Sequence, residues 1–348
     1  MPEYVDIAGR RVGRGGRAYI IAEAGVNHGG DLTRALEMVR VAAAAGADAV
    51  KFQTFLPSEL ATRRARRAPY QAARLGAGGQ LEMLEALALD EAAHACLRRA
   101  AAAARIAFLS TPFDAPSADL LARLGVPAFK VGSGDLTNTP LIEHVARFGR
   151  PLILSTGMAG LGEVEAALEA CRLAGNDRVV LLHCTSAYPA PPQSANLRCL
   201  ETLRRAFGRP VGLSDHTPGI AVALAAVALG ACVIEKHFTL GRDLEGPDHA
   251  ASLEPGELAA LVRGVRDVEA ALGDGRKRPA AVERATRRAA RRSVVARRDI
   301  RRGEVIAPDM LAMKRPAGGV PPAGAAALVG RTARRDVAAD EMLTWDAV

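Results

Sequence analysis

Short apolar runs rich in β-branched residues recur along the first 240 residues and alternate with Ala- and Leu-rich stretches of helical periodicity. The runs predict eight strands, at 19–25, 49–55, 106–113, 127–135, 151–157, 179–186, 210–216 and 232–239. The stretches between and after them predict helices at 31–46, 89–104, 117–125, 141–149, 162–175, 218–230 and 257–273. Strands that alternate with helices are parallel and joined by right-handed crossovers. Eight such units predict an α/β fold of the (β/α)8, or TIM-barrel, class.

A doubly wound open sheet is the alternative arrangement of the same elements. That fold seldom needs eight units, and it calls for a glycine-rich fingerprint after its first strand. The segment AEAGVNHGG at 22–30 does not have the GxGxxG spacing. The pattern therefore favours the barrel.

The pattern changes after residue 273. The basic stretch 274–292 predicts a linker, and residues 293–348 predict a small β-rich module of short strands and turns. Within it, ARRDIRRGEVI and ARRDVAADEML resemble each other, which indicates a weak internal repeat. So short a module has little core of its own, and we expect it to lean on a partner surface. The predicted organisation is a barrel at 1–273, a linker at 274–292 and a second domain at 293–348.

The net charge of +8 raises the question of nucleic acid. Much of it lies in two runs, RRARR at 63–67 and the stretch 276–292, and neither run contains aromatic residues for base stacking. We expect solvated faces, no nucleic-acid partner and some attraction of anionic substrates.

Five scattered cysteines without a CxxC pair disfavour a disulfide framework and a structural zinc site. The first residues have no apolar signal core, and the longest apolar run, 219–234, is short for a membrane span. These features predict a cytoplasmic protein without a membrane partner.

Polar residues stand where the predicted strands end, and every strand supplies at least one. They are Glu23, Lys51, Gln53, Thr111, Lys130, Ser133, Asp135, Ser155, Thr185, Ser186, Tyr188, Ser214, Asp215, His216, Glu235 and His237. In a barrel all these ends form one rim, where catalysis takes place. This convergence predicts an enzyme.

Lys51 and Lys130 lie inside apolar strands, and a buried ammonium group needs an anion. One possibility is a structural ion pair with Glu23 or Asp135. The other is a compact anionic ligand, such as a phosphate with a carboxylate, held by the lysines and neighbouring hydroxyls.

His216 and His237 end the seventh and eighth predicted strands. Each could be a structural histidine bonded to a backbone carbonyl. Two imidazoles on neighbouring strand ends could also share one divalent cation, and nitrogen ligands suit Mn²⁺, Fe²⁺ or Zn²⁺ better than Mg²⁺.

The ordered motifs IAEAGVNHGG, KFQTF, STPFD, KVGSGDLTNTPLI, LSTGMA, LLHCTSAYP, GLSDHT, EKHFT and GPDHAASLEP resemble those of the sialic acid synthase family. RRSVVARRDIRRGEVI and KRPAGG resemble its C-terminal antifreeze-like (SAF) domain, so the resemblance covers nearly the whole chain. It implies a synthase that condenses phosphoenolpyruvate with an N-acylated six-carbon sugar.

The resemblance also implies a role for each matching residue. The catalytic group would be Glu23, with His216 and His237 carrying a divalent metal, expected to be Mn²⁺ with Mg²⁺ or Co²⁺ as alternatives. Phosphoenolpyruvate would be held by Lys51, Thr111, Lys130, Ser133, Ser155, Ser186 and Ser214. The sugar would be met by Gln53, Asp135, Tyr188, Asp248 and, from the other subunit of a domain-swapped homodimer, Arg315.

Two departures leave the acceptor sugar open. Asp135 stands where some bacterial sialic acid synthases have Glu, and Ser186 stands where Asn is frequent. The expected reaction is that of an N-acetylneuraminate synthase acting on N-acetylmannosamine. The motifs GSGDLTN and GPDHAASLEP also resemble those of legionaminic acid synthases, which use 2,4-diacetamido-2,4,6-trideoxymannose. Pseudaminate or spore-coat sugar synthases of the same family are further alternatives. Outside this family, a metal-dependent lyase or aldolase and a non-enzymatic carbohydrate-binding protein are the competing classes.

Overall fold

The computed structural model describes residues 3–348, which form two compact units, one ending at Gly273 and one beginning at Asp274. In the first unit a hairpin of β1 (Tyr4–Ile7) and β2 (Arg10–Gly13) precedes eight strands. These are β3 (Tyr19–Gly25), β4 (Ala49–Thr54), β5 (Ala107–Pro112), β6 (Phe129–Val131), β7 (Leu152–Ser155), β8 (Val179–Cys184), β9 (Val211–Asp215) and β10 (Val233–His237).

The eight strands form one parallel sheet in the order β5-β4-β3-β10-β9-β8-β7-β6. The first strand, β3, lies between its successor β4 and the last strand, β10. The sheet is therefore a nearly closed barrel, and the predicted (β/α)8 class is confirmed. In its register Glu23 stands opposite both Lys51 and His237, which brings three of the predicted site residues to one part of the rim.

Helices follow the barrel strands. They are α1 (Leu32–Ala44), α2 (Pro57–Leu60), α3 (Pro69–Leu75), α4 (Gln80–Leu87), α5 (Glu91–Ala103), α6 (Ala115–Leu124), α7 (Thr139–Arg147), α8 (Leu161–Leu173), α9 (Cys199–Phe207), α10 (Ala221–Ala228) and α11 (Pro255–Leu272). The sequence patterns did not predict α9 or the insertion that carries α2, α3 and α4 between β4 and α5. The insertion has a small core of its own, in which Phe55, Met83 and Leu87 are buried.

Side chains that face the barrel interior change from apolar to polar along each strand. In β3 the inward residues are Tyr19, Ile21 and Glu23, and in β10 they are Val233, Glu235 and His237. This follows from the two-residue period of a strand, which sends every second side chain to the same face. The apolar end is filled further by the hairpin, whose Val5, Ile7 and Val12 belong to the same core cluster. The interior is therefore packed at one end and chemically active at the other.

The second unit consists of α12 (Arg284–Ala290), β11 (Ser293–Ala296) and β12 (Leu311–Lys314), with short 3₁₀ turns. Its core contains Val294, Ile300, Ile306 and Leu343, all nearly inaccessible. The stretch predicted as a linker thus contains a short helix, because Arg- and Ala-rich residues have high helix propensity.

No helix within residues 3–348 combines the length and the apolar character needed to cross a membrane.

A buried ion pair links β9 and β10 on the helix-facing side of the barrel. Lys236 Nζ lies 2.7 Å from Asp215 Oδ2, and both side chains are almost wholly buried. Asp215 Oδ1 also accepts hydrogen bonds from the backbone N–H and the hydroxyl of Thr217. Asp215 and Lys236 directly precede His216 and His237 in the sequence, so the ion pair joins the two strands immediately before the histidines.

Replacing Lys236 with Met should lower the free energy of unfolding by about 3–5 kcal/mol, because Asp215 is left charged and unpaired in the interior. Urea denaturation followed by circular dichroism measures this loss. The double variant Lys236→Met/Asp215→Asn should recover much of it, since an amide keeps the acceptor for Thr217 and removes the charge. A single variant as stable as the wild type would contradict the prediction.

Candidate active site

Four charged side chains meet inside the barrel near the carboxyl ends of the strands. Lys51 Nζ lies 2.8 Å from Glu23 Oε2 and 3.7 Å from Glu235 Oε2. Lys130 Nζ lies 3.5 Å from Glu235 Oε1, where the sequence had allowed Asp135 as its partner. All four are buried. We call Glu23, Lys51, Lys130 and Glu235 the charge cluster.

The two carboxyl groups of the charge cluster differ in their proton affinity. Burial raises the pKa of Glu23, and the attraction of Lys51 only partly offsets it. Burial would also raise the pKa of Glu235, but Lys130 and Lys51 together pull it below its ordinary value. Glu235 is therefore the permanent anion between the lysines, and Glu23 is the carboxyl group that most readily takes or gives a proton.

Hydroxyl groups surround the lysines. Lys51 Nζ donates to Thr111 Oγ1 at 2.9 Å, and Ser214 Oγ donates to Glu235 Oε1 at 2.9 Å. The hydroxyl of Ser155 is buried and has no hydrogen-bond partner within the described chain. The ammonium groups and these hydroxyls are donors suited to a small polyanion.

A second group of donors gathers around Gly157, in the turn after β7. Its backbone N–H donates to Ser133 Oγ at 3.0 Å. A Cβ at this position would stand 2.3 Å from Ser186 Oγ, 2.8 Å from Ser133 Oγ and 3.1 Å from Cys184 Sγ. Only glycine lets these three side chains approach the backbone so closely, and a larger residue would displace them. We call Ser133, Gly157, Cys184 and Ser186 the serine cradle.

His216 and His237 lie side by side, with ring centroids 5.4 Å apart. Nδ1 of His216 lies 2.9 Å from the carbonyl oxygen of Thr185, so this nitrogen donates, and in the neutral ring Nε2 keeps its lone pair. Nδ1 of His237 is buried, has no hydrogen-bond partner among the residues that the structure describes, and lies 4.0 Å from Asp248 Oδ2. Burial lowers the pKa of His237 well below its ordinary value, which favours the neutral form.

The donor atoms of the two histidines suit a divalent metal. A neutral imidazole is a metal ligand, and a second ring nitrogen bonded to a carbonyl is the usual orienting contact. Among residues 3–348, however, no group of three or more His, Cys, Asp or Glu side chains has the arrangement of a complete metal site. A cation held by His216 and His237 would thus take its remaining ligands from water or substrate.

Three of the residues predicted to contact the sugar, Tyr188, Gln53 and Asp248, lie beside the histidine pair. The aromatic ring of Tyr188 lies 4.1 Å from that of His216 and 5.8 Å from that of His237, centroid to centroid. Gln53 Nε2 lies 3.5 Å from the position of a Cβ on Gly25, beside Glu23 and His237. Asp248 is buried next to His237, so these residues share one side of the site.

Asp135 and Arg315 are less tightly placed. Asp135 is partly buried and accepts a hydrogen bond from Asn138 Nδ2 at 3.2 Å. Arg315 belongs to the second unit, where its side chain is exposed, and its contact with another subunit stays a prediction.

Two residues that the assignment of roles left out belong to the site. Glu235 was noted only as a strand end, although it precedes His237 by two positions and so faces the same interior. Tyr70 lies on α3 of the unpredicted insertion and stacks on Tyr188, with centroids 5.0 Å apart. Nothing in the local sequence connects Tyr70 with a barrel strand, so only the folded insertion reveals it.

Comparison with known proteins gives consistent matches for both units. A model of the NeuB family matches residues 38–277, and a model of the SAF domain matches residues 291–348. The solved structure of N-acetylneuraminic acid (sialic acid) synthetase from Leptospira borgpetersenii aligns with a TM-score of 0.70 at 36% identity. That alignment covers 81% of this chain and 94% of the other.

Curated relatives agree with this match. The N,N'-diacetyllegionaminic acid synthase of Campylobacter jejuni is 46% identical over 330 residues, covering 94% of this chain and 99% of the relative. The enzyme of the same name from Legionella pneumophila is 46% identical over 333 residues, covering 94% of each chain. The human N-acetylneuraminate-9-phosphate synthase is 39% identical over 352 residues, covering 100% of this chain and 98% of the relative.

Replacing Gly157 with Ala should weaken binding of phosphoenolpyruvate, the ligand implied by the motifs, about 5- to 100-fold, because the methyl group would crowd the serine cradle. Titration calorimetry with phosphoenolpyruvate measures the affinity. Gly162→Ala is the matched control, since a Cβ there has open space. Equal affinities for both variants would show that the cradle does not hold this ligand.

Proposed function

The chain belongs to the NeuB family of nonulosonate synthases and carries a C-terminal SAF domain, and from this premise we propose that it condenses phosphoenolpyruvate with an N-acylated hexose derivative. The observation that carries the proposal is the charge cluster beside the serine cradle. Two buried lysines and a set of inward hydroxyls form a binding site for a phosphate with a carboxylate, and the histidine pair lies next to it.

The acceptor we propose is 2,4-diacetamido-2,4,6-trideoxymannose, which would make the product N,N'-diacetyllegionaminic acid. Two relatives named for that product are 46% identical to this chain, whereas the human N-acetylneuraminate-9-phosphate synthase is 39% identical. N-Acetylmannosamine was the acceptor expected first from the resemblance. It is thus less well supported than the diacetamido sugar, which the sequences around Asp135 and Asp248 indicated as an alternative.

Binding of phosphoenolpyruvate follows from the arrangement of donors. Lys51 and Lys130 would neutralise its negative charge, and Thr111, Ser155 and the serine cradle would satisfy its oxygens. Glu235 keeps both lysines in place before the substrate arrives. Because the lysines are already ordered by Glu235, little side-chain entropy is lost on binding.

The bond-forming step joins C3 of phosphoenolpyruvate to the aldehyde carbon of the open-chain sugar. Electrons from the enol double bond form the new bond, and the aldehyde oxygen gains a proton to become a hydroxyl. Glu23, whose pKa is raised by burial, is the carboxyl group placed to carry protons between water and the reacting carbons. Water then adds at C2, and the C2–O bond breaks to release inorganic phosphate.

A divalent metal, for which we propose Mn²⁺, would be held by His216 and His237 and would polarise the aldehyde carbonyl. The protein's own contribution on this side is orientation. Tyr188 packs against both imidazoles, and Gln53 and Asp248 lie beside them as hydrogen-bonding groups for sugar hydroxyls. We further propose a cytoplasmic homodimer in which Arg315 of one subunit reaches the sugar bound to the other.

Incubation with phosphoenolpyruvate, Mn²⁺ and each of the two candidate sugars tests the reaction directly. We expect phosphate release with both, and faster release with 2,4-diacetamido-2,4,6-trideoxymannose. Faster turnover of N-acetylmannosamine would overturn the choice of acceptor. Sugar cleavage without phosphate release would indicate a lyase or aldolase, and activity that survives chelation would contradict the metal.

Replacing His237 with Ala should abolish Mn²⁺ binding and metal-dependent phosphate release, because one of two protein ligands is lost. Electron paramagnetic resonance of Mn²⁺ and a chromogenic phosphate assay measure the two effects, and circular dichroism checks the fold. His144→Ala is a matched control, as His144 lies on α7 and pairs with Asp119 of α6, in the layer of helices. Undiminished Mn²⁺ affinity in His237→Ala would refute the ligand assignment.

A further inference from the structure

The insertion between β4 and α5 sends one side chain to the active site. Tyr70, the second residue of α3, stacks on Tyr188 with an interplanar angle of 26° and a centroid distance of 5.0 Å. Stacking at such a distance is among the arrangements that aromatic rings favour. The insertion is therefore in contact with the site through an aromatic pair.

Tyr188 is held on two sides. Tyr70 covers one part of its ring, and His216 lies 4.1 Å from its centroid on another. The ring belongs to the loop after β8, where no regular element fixes its direction. Its aromatic contacts are with Tyr70, His216 and His237, so loss of Tyr70 would remove one of three rings that pack against it.

Two contacts fix α3 in turn. The side chain of Gln71 accepts a hydrogen bond from the backbone N–H of Ala68 at 2.8 Å, which caps the start of the helix. Arg74 donates to the carbonyl oxygens of Arg242 and Leu244, at 3.2 and 3.3 Å. Those carbonyls belong to the loop after β10 that also carries Asp248, so α3 joins both sugar-side loops.

We propose that Tyr70 is a positioning residue that sets the preference for the acceptor sugar by holding Tyr188 against His216. The inference rests on the proposed function, since it concerns the sugar side of that site. A diacetamido trideoxy sugar differs from N-acetylmannosamine in carrying a second acetamido group and a methyl group in place of a hydroxymethyl group. A fixed aromatic surface favours such apolar groups, because they lose water against it.

Replacing Tyr70 with Ala should raise KM for the diacetamido sugar about 3- to 10-fold, the worth of one aromatic pair. KM for phosphoenolpyruvate should stay unchanged, because Tyr188, the ring on which Tyr70 stacks, lies against the two histidines. Tyr70→Phe keeps the stacked ring and loses the hydrogen bond that the Tyr70 hydroxyl accepts from Gln71 Nε2 at 3.3 Å, so it should stay close to the wild type. Steady-state kinetics with both sugars also gives the selectivity ratio, which should fall in Tyr70→Ala alone.

Arg64→Ala is the matched control, because Arg64 is an exposed residue of the same insertion. Unchanged sugar KM and selectivity in Tyr70→Ala would overturn the inference. An equal rise of KM for the sugar and KM for phosphoenolpyruvate would also overturn it, because that result indicates a general structural loss. If the wild-type enzyme releases phosphate with neither sugar, the proposed function fails and the inference with it. If the wild type is active and Tyr70→Ala matches it, only the inference fails.

Discussion

The balance of charge among Glu23, Lys51, Lys130 and Glu235 is the constraint on which the site depends. Two ammonium groups in the interior of a barrel would repel each other and would cost several kcal/mol each in lost hydration. Glu235 lies between them and makes their burial possible. When Glu23 is protonated, the four groups carry one net positive charge, which an incoming anion can neutralise. The same arrangement thus keeps the free protein folded and prepares it for its substrate.

Much of the barrel could be predicted because periodicity and strand ends are local signals. The two-residue alternation in β3 and β10 predicts the two strands, and it also predicts that Glu23 and His237 face the barrel interior. The partner of Lys130 was not predictable in this way, since Glu235 and Asp135 both lie in runs predicted as strands. Which of them meets the lysine depends on strand register and on the early end of β6 at Val131, properties of the closed sheet.

The insertion shows a different limit. Helices α2, α3 and α4 have only four, seven and eight residues, so each offers too few apolar positions for a clear periodic pattern. They are ordered by burial of Phe55, Met83 and Leu87, which come from distant parts of the segment. The contact of Tyr70 with Tyr188 joins residues that are 118 positions apart, a distance along the chain that no local rule can bridge.

The pairing of β3 with β10 has a consequence for synthesis of the chain. The first barrel strand gains its second neighbour only when residues near 237 have left the ribosome, and the hairpin before it packs against strands still to be made. The apolar residues of this strand and of the hairpin therefore stay exposed during most of translation, and such transient exposure favours aggregation. We therefore expect overproduction to depend on chaperones and on translation speed more than on the final stability of the protein.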